Sequence, residues 1–177
     1  EPDFFSLFNF KWLSGNAQSV LTAPNSAALS KSTAEKYFGN WQNALGKTII
    51  HRNSQNEIYT INGIIEDVPV NTDFPLEVMA SYSTLQHSDM KDNLNDWVST
   101  WSEACTFVEL DKNASVSAFN KELIALAKKH KPAEYAKDAY MAQPLSAIHY
   151  DERFGNYRHH TFSKGLITAL ELIGIFL

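Results

Sequence analysis

An α+β fold is predicted for this 177-residue chain, and three observations carry it. Short segments with two-residue alternation occupy both ends. The clearest helical periodicity lies at 115–131. The stretch from Thr84 to Trp101 is polar, acidic and only weakly periodic. There is no internal repeat and no low-complexity segment. The length fits one domain, or two small lobes, at roughly 100–200 residues per domain. A chain of this size removes roughly 70% of its unfolded surface from water, enough for a core.

Phe4 to Leu13 alternates as a strand, with Phe4, Phe8, Phe10 and Trp12 on one face and Phe5 and Leu7 on the other. Ser14-Gly15-Asn16 ends it. Ser32 with Glu35 predicts a capping box for a short helix through Tyr37-Phe38, and Gly39 sits where a left-handed C-cap is wanted. Thr48-Ile49-Ile50 and the run Ile58 to Ile65, separated by Asn53-Ser54-Gln55-Asn56, predict a β-hairpin. Asp67-Val68-Pro69-Val70-Asn71-Thr72 closes it with a rigid turn, and Leu76 to Tyr82 reads as a further strand.

Glu103 to Leu110 returns to alternation, with Ala104, Thr106, Val108 and Leu110 on one face. Over 115–131, Ser115 is the N-cap and Val116, Phe119, Leu123 and Leu126 form an apolar stripe. Lys128-Lys129-His130-Lys131 complement the helix dipole in the last turn, and Pro132 stops the helix. Pro144 to Tyr150 reads as another strand.

Composition excludes several classes. A single cysteine, Cys105, leaves no disulfide framework, and 44% hydrophobic residues exclude a disordered chain. With 20 acids against 15 bases, the net charge of −5 argues against nucleic acid as the main partner, because phosphate needs clustered Lys and Arg. Residues 89–111 hold six acids and one base, while the other 14 acids and 14 bases cancel, so the net charge sits in one lobe. Asp89, Asp92 and Asp96 would share one helical face, but the calcium-loop pattern is absent, and the expected reading is a solvated acidic face open to a partner.

No motif predicts catalysis, a cofactor or a metal site. Gly46-Lys47-Thr48 lacks the four-residue spacing of a phosphate loop, since the preceding glycine is Gly39, and a strand rather than a helix follows. Tight binding of ATP is therefore not expected. Of His51, His87, His130, His149, His159 and His160, none forms an HxxxH pair. His149 with Asp151 and Glu152 would make a zinc site only if the chain folded back on itself, and scattered surface imidazoles are the simpler reading. Trp97 and Trp101, at i and i+4, either offer a stacking platform to a sugar or peptide or pack within a small lobe. Glu66 and Asp67 point to opposite faces of a strand, so they are no carboxylate pair. Cys105 is expected inside a strand, buried and inert.

The apolar run Gly165 to Leu177 spans roughly 20 Å as a helix, short of the ~30 Å hydrocarbon core of a bilayer. It reads either as a C-terminal core helix with Glu171 exposed or, preferably, as the first turns of a transmembrane helix cut short. At the other end, Glu1 is followed by no signal-peptide pattern.

In order along the chain stand four blocks. They are the aromatic opening Phe4-Phe5-x-x-Phe8-x-Phe10 closing at Gly15; Leu29-Ser30, then Ala34-x-Lys36-Tyr37-Phe38-Gly39 and Leu45-Gly46-Lys47-Thr48-Ile49; Tyr59-x-Ile61-x-Gly63-Ile64 continued as Asp67-x-Pro69-x-Asn71-Thr72; and Leu145-x-x-Ile148-His149-Tyr150. The set resembles the extracytoplasmic core domain of MacB-type, FtsX-like ABC transporter permeases, especially the paralogues of Bacteroidetes-like bacteria. The resemblance covers residues 1–83 well and 145–177 less closely, while 84–144 matches in layout. It departs at Trp41-Gln42-Asn43-Ala44, where the family often has an acidic residue or Asn and a Pro before Gly-Lys.

The resemblance implies a loop between two transmembrane helices of an inner-membrane protein, on the periplasmic side. It implies a membrane-proximal α+β lobe from residues 1–83 and 141–164, an inserted distal lobe at 84–140, and the start of a membrane helix at 165–177. Catalysis would belong to a cytoplasmic ABC ATPase. Further partners would be a second permease copy, as a dimer, and a periplasmic adaptor or cargo. The domain would couple ATP hydrolysis to export or mechanotransmission. The alternative is an extracytoplasmic ligand-binding or sensor module using Trp97 and Trp101.

Overall fold

A computed structural model describes residues 1–52, 56–72, 74, 76–98, 105–135, 137–151 and 161–176. The chain divides into two compact units, Glu1–Asp96 and Trp97–Leu177.

The first unit is a mixed five-stranded sheet with short helices. Its strands are β1 (Trp12–Ser14), β2 (Ser26–Ser30), β3 (Thr48–His51), β4 (Glu57–Ile65) and β5 (Val78–Ala80), in the order β1-β4-β2-β5, with β3 also paired to β4. The long β4 organises the sheet. β2 lies parallel to it, whereas β3 and β1 pair antiparallel to successive parts of it, and β5 is antiparallel to β2. The expected hairpin is present, with Thr48 opposite Thr60 and His51 opposite Glu57. β2 is buried at all five positions, and its small residues Ser26, Ala27 and Ala28 let neighbouring backbone and side chains close over it.

Helices α1 (Phe4–Leu7), α2 (Ala17–Val20) and α3 (Lys31–Phe38) complete the unit. Leu29, Ala34, Ala44, Ile61 and Ile64 are fully buried in one cluster, with Leu13, Phe38, Trp41, Leu45 and Ile49 against them. Val20, Leu21 and Ala28 form a second, with Phe5, Trp12 and Met79. Full burial of a Leu or Ile contributes about 1.5–3 kcal/mol, so Leu29, Ile61 and Ile64 dominate the first cluster. Gly63 permits the second. A Cβ there would lie 2.7 Å from Val20 Cγ2 and 2.8 Å from Trp12 Cζ3.

Three expectations for this unit are corrected. The strand over 4–13 is a turn of helix, α1, followed by β1 alone. Phe4 and Phe8 stand at i and i+4, a spacing that suits a helical face as well as a strand, and their rings gather around Phe74 at 5.2 and 4.7 Å. Trp12–Ser14 pairs with β4, and just before it Lys11 O accepts from Glu66 N at 2.8 Å. Helix α3 is capped by Ser30 rather than Ser32, because β2 runs directly into it; Thr33 N donates to Ser30 Oγ at 3.3 Å. The strand over 76–82 is confined to Val78–Ala80, beyond which Tyr82–His87 forms 3₁₀ turns. The predicted end of α3 holds: Gly39, at φ 78°, donates its N–H to Glu35 O at 2.8 Å.

The second unit contains α4 (Val116–His130) and α5 (Lys164–Phe176), with short 3₁₀ turns at Ala133–Tyr135 and Leu145–Ala147 between them. α4 starts as predicted, with Ala118 N donating to Ser115 Oγ at 3.0 Å. Its inward side is not the full predicted stripe. Ala127 is buried and Phe119, Asn120 and Leu123 are half-buried, whereas Val116 and Leu126 are exposed.

Two predicted strands in this unit are absent from the described residues. Residues 105–110 belong to no strand among the described residues, and Val108 is exposed. Residues 103 and 104 lie outside the described residues. At 144–150 local turns satisfy the backbone instead: Ala147 N donates to Pro144 O, and Tyr150 N to Ala147 O.

Candidate functional site

The positions singled out for chemistry are dispersed. Lys47 N donates to Ala44 O, and Gly46 is followed directly by β3, so no helix N-terminus faces the Gly-Lys pair. Among the described residues no group of three or more His, Cys, Asp or Glu gathers as a metal ion requires. His149 lies beside Tyr150, with ring centroids 6.3 Å apart, and Glu152 is outside the described residues. Cys105 is exposed and in no strand, contrary to the buried position expected. Asp89, Asp92 and Asp96 do not share a helical face. They flank and enter a short 3₁₀ turn over Lys91–Asn95, whose three-residue repeat leaves Asp96 beyond its end.

Trp97 is a packing residue. Its ring stacks on His130 of α4 with centroids 4.2 Å apart and planes 15° from parallel, and its carbonyl accepts from Tyr140 Oη at 3.3 Å. Next along the chain, Lys131 lays its buried side chain over the Tyr140 ring at 4.7 Å, with Asp138 Oδ2 3.9 Å from its Nζ. The Trp97–Trp101 platform is therefore withdrawn at Trp97; Trp101 lies outside the described residues.

Three polar contacts were missed by sequence reasoning. The first is Asp67, whose Oδ1 accepts the Ser32 N–H of α3 at 2.9 Å. Partial burial pushes its carboxyl up, but hydrogen bonds from the Ser32 N–H and from the Ser32 and Ser30 hydroxyls, with the charge of Lys31, outweigh it and hold the group below its ordinary range. Asp67 thus caps a helix from a loop 35 residues away in sequence. Its neighbour Glu66 pairs on the other side with Lys11 at 3.2 Å.

The second is Glu57 at the start of β4, whose Oε2 accepts from Tyr59 Oη at 2.8 Å with His51 Nδ1 3.8 Å away. Burial, then the hydrogen bond and charge of Glu57, push the Tyr59 phenol up to about 12. The third is Asn120, whose side chain takes the place of a strand partner for Ala142: Ala142 N donates to Oδ1 at 2.7 Å, and Nδ2 donates to Ala142 O at a longer 3.5 Å. None of the three forms a catalytic constellation.

The distinctive surface is α5. Leu166, Leu170, Leu172, Ile173, Ile175 and Phe176 are each more than half exposed and cover about 220° of the helix circumference, while half-buried Ile167 lies in the remaining sector with Lys164 and Glu171. A protein groove covers one stripe, whereas an apolar surface this wide suits a surrounding apolar medium. At the base of α5, Lys164 Nζ lies 5.7 Å from the Tyr150 ring, and Phe162 N donates to His149 O at 2.7 Å. Among the described residues no helix is long and apolar enough to cross a membrane.

The profile of the MacB-like periplasmic core domain matches residues 1–126. The chain belongs to that family. It is a periplasmic domain of the MacB-like permease type, a non-catalytic domain family. A crystal structure of a domain assigned to a permease from Porphyromonas gingivalis is similar in fold, at 18% identity, covering 82% of this chain and 67% of that one, with a TM-score of 0.55. The periplasmic region of MacB from Actinobacillus actinomycetemcomitans matches at 18% identity over 72% of this chain and 53% of that one, with a TM-score of 0.44. No curated protein matches.

Within the MacB-like match, several residues of the recognised blocks have structural roles. Gly63 gives Val20 and Trp12 room, Asp67 caps α3, and Gly15 takes φ 75° with Val20 Cγ2 2.6 Å from where its Cβ would lie. These blocks specify the sheet and its close approaches.

Proposed function

We propose that this MacB-like domain couples ATP hydrolysis by a cytoplasmic ABC ATPase to export or mechanotransmission across the envelope. It would do so as the periplasmic part of an inner-membrane permease that works with a second copy of itself and with a periplasmic adaptor or cargo. Family membership supports the setting, and the wide exposed apolar surface of α5 is the observation that supports the membrane attachment. In this reading residues 165–177 begin a membrane helix and the folded units transmit motion without chemistry of their own.

The test uses the gene product that carries this chain, affinity-purified from its native membranes. An ABC ATPase is expected to co-purify. Trapping that ATPase with ATP and vanadate is expected to change distances between spin labels on two copies of the domain. Absence of an associated ATPase, or distances indifferent to nucleotide, would refute the proposal.

A further inference from the structure

We propose that Asn113 is an acceptor for an N-linked glycan, transferred from a polyprenyl-pyrophosphate-linked oligosaccharide on the periplasmic side of the membrane. The chain has 14 asparagines, and Asn113 alone is followed two residues on by Ser or Thr with a non-proline residue between, as Asn113-Ala114-Ser115. Membership of a periplasmic domain family puts this tripeptide on the side where a membrane-borne sugar donor can meet it. The inference needs that placement and neither coupled transport nor entry of α5 into the bilayer.

A glycan acceptor has to be reachable, and this one is. Residues 111–118 are exposed without a break. The tripeptide lies just ahead of α4, in a turn held by two local bonds: Asn113 N donates to Asp111 Oδ1 and Ala114 N to Asp111 O, each at 2.9 Å. A transferase that draws this segment into its own site therefore breaks no sheet pairing and no bond within a helix. The Asn113 side-chain amide makes no hydrogen bond among the described residues, so a sugar on Nδ2 displaces nothing. Ser115 Oγ accepts from Ala118 N at 3.0 Å as the cap of α4, a role that leaves its O–H able to donate. Asp111 adds a negative charge two residues before the acceptor, a second feature by which a transferase can recognise the segment.

The chemistry explains why the hydroxyl matters. An amide nitrogen is a poor nucleophile, because its lone pair is delocalised into the carbonyl. The transferase has to hold that amide in place, and the hydroxyl two residues on is the handle. The step is a substitution with no change of oxidation state. Asn113 Nδ2 forms a bond to C1 of the first sugar while the bond from C1 to the pyrophosphate oxygen breaks. The electron pair leaves with the polyprenyl pyrophosphate, and one amide proton passes to a base of the transferase.

The experiment is mass spectrometry of the full gene product purified from its native membranes, with electron-transfer fragmentation to keep sugars on their side chains. The peptide that holds Asn113 is expected to carry an oligosaccharide on that residue in most copies. Asn113→Gln, which keeps an amide, should lose it. Ser115→Asp should also lose it while still offering a side-chain cap to α4, and Ser115→Thr, which keeps hydroxyl and cap, should retain it. Equal helix content of the Ser115→Asp and Ser115→Thr proteins by circular dichroism separates loss of the acceptor motif from loss of α4. An unmodified Asn113 in the native protein, a glycan confined to Ser115 or Ser117, or a glycan that survives Ser115→Asp would overturn the inference.

Discussion

Replacing Asp67 by Ala removes the cap that ties the 66–72 loop to α3, and its effect should depend on pH. The carboxylate receives the Ser32 N–H at 2.9 Å and faces the first turn of the helix, where a negative charge is favourable. Loss of an N-terminal cap costs about 0.5–2 kcal/mol. Asp67 is exposed, so solvent screening reduces the charge component, and about 1 kcal/mol is the expected loss at pH 7. For a chain of this length that is about 2–4 °C in Tm.

The pH dependence follows from proton binding. Asp67 has a folded pKa held below its ordinary value, so the unfolded chain takes up the proton first as pH falls. The contribution is fully present above the unfolded value, near about 4, and disappears as pH drops through the lower folded value. Urea unfolding of wild type and Asp67→Ala at pH 7, 5 and 3 tests this. The gap should be constant between pH 7 and 5 and clearly smaller at pH 3. A gap that persists undiminished at pH 3, where the unfolded chain's carboxyl is largely protonated, would show that packing rather than charge holds the loop. No gap at pH 7 would remove the capping role.

Gly63→Ala should destabilise the first unit by about 1–3 kcal/mol, read by chemical denaturation, because the new methyl meets Val20 and Trp12 below 3 Å; an unchanged midpoint would mean that those side chains move aside freely. With its phenol raised to about 12, Tyr59 holds its proton longer when folded than unfolded, so stability should fall from about pH 10 toward pH 12. Tyr59→Phe should flatten that fall, measured as melting temperature against pH. Asn120→Ala should speed hydrogen exchange at the Ala142 amide, which loses its 2.7 Å acceptor, while amides of the sheet stay protected.

The sheet was legible where side-chain period and turn chemistry agree. Ile58 to Ile65 alternates next to a polar turn, and it is both the hairpin strand and the centre of the sheet. Ser115 and Gly39 were legible because a cap is a local event decided within four residues. The aromatic opening failed because its i, i+4 spacing serves a helix and a strand equally, and Phe74, distant in sequence, decides between them. Asp67 was in view as part of a turn, but its function depends on a helix 35 residues away that no local pattern names.

In the second unit the same limit acts more strongly. Segments such as 105–110 and 144–150 carry strand-like alternation, yet a strand exists only where another backbone pairs with it. At 144–150 local turns meet the amides of Ala147 and Tyr150, and just before it Asn120 meets that of Ala142. A single side chain standing in for a whole strand leaves no periodic trace. The converse holds for α5, whose apolar composition is plain in sequence but whose wide exposure only the structure shows. A core helix would have turned one face inward. This one half-buries Ile167 alone among its large apolar residues and leaves the others exposed, the feature on which the proposed membrane attachment rests.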